Sequence, residues 1–144
     1  MIDSLPIIFI NCNLFPFIQW ILQGIKVYET RNKNTLKRYL GKTVYLCKTG
    51  RKEKVIYCKA TIQGIIKVES KQYYEKFRDE CCIIPGCKYD FTGKTKYLYL
   101  LTDIVPVNPF VPYEGKHNGY TSMDFNGIKK YIWQYQKIKK EGKY

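Results

Sequence analysis

The stretch from Leu5 to Leu22 carries no charged side chain, and what it can become limits the rest of the fold. A membrane-spanning helix needs roughly 20 apolar residues without interruption, whereas Pro6, Asn11, Asn13, Pro16 and Gln19 break this run. The pieces are an apolar, β-branched run from Pro6 to Ile10 that reads as a buried strand, a turn at Asn11-Cys12-Asn13, and a short helix. Pro16 suits the first turn of that helix and Gly24 its C-terminal cap. Phe17, Ile18, Ile21 and Leu22 fall at helical spacing with Trp20 beside them, which marks a core-facing stripe. Asp3 precedes the apolar run and no basic segment opens it, so a secretory signal is not expected. A cytoplasmic protein with no membrane partner is.

The remainder reads as strands around few helices. A strand is expected from Thr43 to Lys48, a charged hairpin loop from Thr49 to Lys54, and a long strand from Val55 to about Lys67 in which Gly64 marks a bulge or bend. Ser70 is placed to cap a helix from Lys71 to Cys81, with Tyr73, Tyr74, Phe77 and Cys81 as its apolar face and Glu75, Arg78, Asp79 and Glu80 on a solvated one. Lys96 to Val107 alternates and then becomes wholly apolar, as a central strand does, until Pro106, Pro109 and Pro112 end it. The last twenty residues fit helix or strand equally. One α+β domain over residues 1–144 is expected, with strands in the majority.

Charge and aromatic content bear on function. The chain has 25 Lys and Arg against 12 Asp and Glu, a formal charge of +13, which favours a polyanionic partner such as nucleic acid. Fourteen Tyr, seven Phe and two Trp are interleaved with lysines, as at Lys26-Val27-Tyr28 and Lys96-Tyr97, a mixture that can stack bases while pairing phosphates. Strand-rich proteins also use Tyr for cross-strand packing, the ordinary role of most of these side chains. The six cysteines form no Cys-x-x-Cys pair and the single histidine, His117, stands far from them in sequence, so neither a metal site nor any cofactor is expected.

The polar residues that look placed lie in Gly24-Ile25-Lys26-Val27-Tyr28-Glu29-Thr30-Arg31. Together with Phe15-Pro16-Phe17 before it and the two strands after it, this Gly-x-Lys-x-x-Glu-x-Arg stretch resembles the hallmark of the ASCH domain over about residues 6–107, leaving 108–144 as an extension. The resemblance implies a small PUA-like β-barrel flanked by two or three helices, with a cleft between the barrel and the first helix that takes RNA or another nucleic acid. Lys26 and Arg31 would pair phosphate oxygens, one as a point charge and the other as a fork. Glu29 would orient Arg31 or accept a hydrogen bond from a base or ribose. Tyr28 and Trp20 would be stacking neighbours. The alternative is that Lys26, Glu29 and Arg31 form an ion-paired cap joining helix to barrel.

Two further functions stay open. One ASCH branch resembles an amidohydrolase acting on acetylated cytidine through a Lys, a Thr three residues on, and a distant Glu. Placing Lys26 in that role puts Glu29 where the Thr should be; Thr30 would point elsewhere on a strand, and Glu75 and Glu80 compete for the distant acid. If the chain is an enzyme, Lys26 and Glu29 are its candidate catalytic groups. The other possibility is a module whose basic face meets an acidic protein.

Overall fold

The computed structural model describes residues 5–50 and 53–113; the lysine-rich tail and His117 lie outside the described residues. Its elements are, in order, β1 (Ile7–Asn11), α1 (Phe17–Leu22), β2 (Tyr28–Arg31), a 3-10 turn (Lys37–Tyr39), β3 (Thr43–Gly50), β4 (Glu53–Val68), α2 (Lys71–Glu75), α3 (Arg78–Cys81) and β5 (Lys96–Pro112). The five strands form one mixed sheet in the order β1-β3-β4-β5-β2, giving an α+β fold. The uncharged N-terminal run is divided between β1 and a six-residue α1. Among the described residues no helix is long and apolar enough to cross a membrane.

The sheet is built around the long antiparallel β4–β5 pair, with β3 antiparallel to β4 and β1 parallel to β3. Its register shifts between Ile62 and Gly64, the bend that Gly64 announces. Bending wraps one face around a core in which Trp20, Ile18 and Ile21 of α1 meet Ile10, Leu46, Ile62 and Leu98. A smaller cluster of Tyr45, Cys47 and Ile56 lies apart from it, packed by Ile7, Val107 and Val111.

Three expectations are corrected. The closed barrel is not formed by strand pairing: β1 and β2 are the two ends of the strand order, and no ladder joins them among the described strands. The helix over residues 71–81 is broken into α2 and α3, because Arg78 turns inward instead of sitting on a solvated face. It is 3% exposed, grips both carboxylate oxygens of Glu75 at 2.6 and 2.7 Å, and pairs with Asp90 at 2.9 Å. Ser70 does cap α2, accepting from the Tyr73 N–H at 3.2 Å. Finally, β5 continues through its prolines to Pro112. Its pairing with β2 ends at Leu100, and beyond that point no described strand lies on that edge, so a missing N–H breaks no second ladder among the described residues.

Candidate nucleic-acid interface

The motif begins at a turn that requires its glycine. Gly24 follows α1 with φ +75°, a left-handed conformation that glycine adopts without strain. The N–H groups of Ile25 and Lys26 both bond back to the Trp20 carbonyl, at 2.8 and 3.0 Å. The chain then enters β2, where Glu29 and Arg31, two residues apart, share one face opposite Tyr99 and Tyr97 of β5.

Between β1 and β2, the two ends of the strand order among the described residues, lies a cleft of about 250 Å³. Phe9, Ile10 and Asn11 border it on one side and Glu29, Thr30, Arg31 and Asn32 on the other. Phe17 of α1 and Tyr89 line it too, their rings in an edge contact at 5.5 Å. One side chain spans the seam. Arg31 holds Glu29 Oε2 through Nε at 3.1 Å and Nη2 at 2.9 Å, and Nη2 also donates to the Phe9 carbonyl on β1 at 2.8 Å. Glu29 Oε1 and Arg31 Nη1 hydrogen-bond to no described residue, so the pair keeps an acceptor and a donor for a ligand.

Lys26 stands behind this cleft and does not line it. Its ammonium is buried, donates to the Cys81 carbonyl at 2.6 Å and lies 4.5 Å from the centre of the Phe17 ring. A cation on the last carbonyl of α3 is a C-terminal cap, so the joining role considered for the motif belongs to Lys26, acting on a carbonyl. Trp20 is in the core against Phe15 and Phe17, and Tyr28 packs edge-on against Phe77 at 5.6 Å; neither lines the cleft. Glu75, committed to Arg78, and the exposed Glu80 do not line it. Thr30 does, although alternation sets it on the face opposite Glu29, because β2 borders the cleft with its edge.

The fold that carries this cleft is similar to that of solved structures. The crystal structure of ASCH from Zymomonas mobilis is similar over 88% of this chain and 92% of that one, with a TM-score of 0.60 at 15% identity. The chain has an ASCH-domain fold. Crystal structures of two mutants of that protein, a serine-to-alanine and a tyrosine-to-phenylalanine exchange, give the same TM-score of 0.60 at 15% identity, covering 89% and 88% of this chain and 94% and 95% of theirs. No family model and no curated protein matches the sequence.

Within this ASCH fold the seam also holds a lysine that the motif does not contain. Lys96, the first residue of β5, lines the cleft while only 6% exposed. Burial pushes its ammonium below the ordinary lysine range, against the opposing influence of Cys87, Asp90, Cys81 and Glu29. In the sequence Lys96 is one of many lysines beside a tyrosine, and nothing local separates it from the exposed ones. The seam also gains Phe9 and Tyr89 as aromatic walls, Phe9 being 40% exposed with Lys54 Nζ 4.9 Å from its ring centre. Among the described residues no group of three His, Cys, Asp or Glu side chains is placed to hold a metal.

Beyond Asn32 the rim stays basic. Asn34, Thr35, Lys37 and Arg38 border an open depression, and the loop is pinned from beneath by the Tyr99 hydroxyl, which donates to Asn34 Oδ1 at 2.8 Å and accepts from the Leu36 N–H at 3.3 Å.

Proposed function

We propose that this cytoplasmic chain binds RNA, with one nucleotide lodged in the seam between β1 and β2 and the neighbouring backbone running along the Lys33–Arg38 rim. The observation that carries this reading is the pairing of Arg31 with Glu29 at the cleft wall. The guanidinium is 29% exposed there and retains Nη1, while Glu29 offers Oε1 to a base amino group or a ribose hydroxyl. Phe9 and Tyr89 supply faces on which a base stacks. A volume near 250 Å³ lies below the roughly 300–1,000 Å³ of pockets that enclose drug-sized ligands, which suits a single nucleotide of a longer strand.

Single-stranded RNA carrying 4-thiouridine, photocrosslinked and mapped by mass spectrometry, tests this placement. Crosslinks concentrated on Phe9, Tyr89 and the 29–38 segment support it. Crosslinks spread over the outer lysines in proportion to exposure overturn it and favour the basic face as a protein-interaction surface.

The amidohydrolase reading is supported less. A general base needs a lysine facing the substrate, and the Lys26 ammonium is committed to the Cys81 carbonyl. Turnover of acetylated cytidine that survives Lys26→Met would detach that activity from the motif lysine.

A further inference from the structure

Four of the buried side chains among the described residues carry a charge: Lys26, Glu29, Arg78 and Lys96. Three are compensated. Lys26 donates to Cys81, Glu29 is held by Arg31, and Arg78 is held by Glu75 and Asp90. The Lys96 side chain makes no hydrogen bond and no ion pair to any described residue, although it lines the cleft. A lysine whose stem is buried and whose ammonium meets only the cleft, with no protein partner, is unfavourable, and folds seldom retain one unless something else compensates it. Glu29 does not fill that place: its ion pair is with Arg31, and its other oxygen makes no hydrogen bond or ion pair with Lys96.

We propose that Lys96 is the anion anchor of the seam cleft, taking a phosphate oxygen of the nucleotide bound beside Glu29 and Arg31. This rests on the nucleic-acid reading and specifies its ligand as a phosphate ester, not a neutral nucleoside. An ammonium that meets its anion in a water-poor cleft forms a charge-assisted hydrogen bond, and a ligand phosphate beside it favours its protonated form. Lys26, the lysine of the motif, then acts one layer back as the cap of α3, and the lysine that meets the ligand comes from β5.

The test titrates wild type, Lys96→Met and Arg31→Met with cytidine, adenosine, their 5′- and 3′-monophosphates, inorganic phosphate and a short single-stranded RNA. A cooperative melting transition for each variant establishes that it is folded. The proposal expects Lys96→Met to weaken the monophosphates and the RNA at least tenfold, the size of one lost charge-assisted bond, and to leave weak nucleoside binding unchanged, with Lys96→Arg recovering part of the loss. Wild-type affinity for monophosphates and RNA in Lys96→Met, with a loss in Arg31→Met, overturns the role of Lys96 and leaves the nucleic-acid reading standing. Inorganic phosphate bound as tightly as the monophosphates overturns the nucleotide part. No binding of RNA or monophosphates by wild type overturns the nucleic-acid reading itself.

Discussion

Arg31 on β2 donates from Nη2 to the carbonyl of Phe9 on β1 at 2.8 Å, and this bond stands where a closed barrel would have a ladder. Two edge strands with unpaired backbone groups are ordinarily a liability. Here they face each other across a cleft, and one guanidinium laces them while holding the Glu29 carboxylate in place. The open seam is therefore both the defect in the sheet and the candidate binding site.

Removing the lace has a measurable consequence. Arg31→Met leaves Glu29, 7% exposed, without its partner, and a buried acceptor stripped of its bond costs about 1–3 kcal/mol. Urea unfolding is expected to show that loss, and Glu29→Gln in the Arg31→Met background to recover part of it. Additive single-mutant losses would mean that the two side chains do not act as a pair.

Lys96 is expected to trade stability for binding. A cation whose folded pKa is lowered binds fewer protons in the native state than in the unfolded one between that value and the ordinary 10.5. Wild-type stability therefore rises as pH climbs through this window. Lys96→Met removes the buried charge, so it should melt at the same temperature or higher at neutral pH, by up to about 2–4 °C for a gain on the order of 1 kcal/mol. It should also lose the alkaline rise. A melting temperature several degrees lower at pH 7 would show that the ammonium is compensated.

The acid limit of stability should be set at Arg78. Hydrogen bonding to Arg78 lowers Glu75 against its desolvation; Asp90 is pushed up by burial, but the N–H groups of Gly86 and Phe91 and the Arg78 guanidinium outweigh this and bring it below its usual value. Depressed carboxylates contribute stability that is fully present above their unfolded values, 4.5 and 3.8, and that is lost as pH falls through the folded ones. Thermal melts between pH 7 and pH 2 are expected to show this acid limb. Arg78→Met should flatten it and destabilise at pH 7 by more than about 2 kcal/mol.

Thiol chemistry offers a check on the core. Burial pushes Cys58 and Cys81 up to about 12, and Cys12 and Cys47 to about 11, so almost no thiolate exists at pH 8. An aromatic disulfide reagent should label the native protein first at the half-buried Cys87 and reach all six cysteines only in denaturant. Rapid native labelling of Cys58 would contradict the packing described for β4.

Local chemistry made much of the fold legible. The broken uncharged run, the Ser70 cap and the Gly64 bend depend on residues a few positions apart, and each is where the sequence places it. What escaped depends on distant partners. Arg78 looks like a surface charge until Asp90 arrives, and Lys26 looks like a ligand cation until its carbonyl, 55 residues away, is seen. Prolines read as strand ends because the open edge of β5 is a fact of topology. Interleaved lysine and tyrosine are in part spent on each other: Lys59 lies opposite Tyr45 in the β3–β4 register, its Nζ 5.6 Å from the ring centre. Lys96 stands out only when burial is known.

Whether the seam between β1 and β2 holds RNA is tested by single-stranded RNA affinity across a salt series for wild type, Arg31→Ala and an outer-surface control, Lys67→Ala. Each phosphate contact contributes about 0.7 to the slope of log affinity against log salt for a single strand. With RNA in the seam, Arg31→Ala weakens binding several-fold and lowers the slope by about that amount, while Lys67→Ala leaves both unchanged. Equal affinities and slopes for all three proteins would contradict that placement.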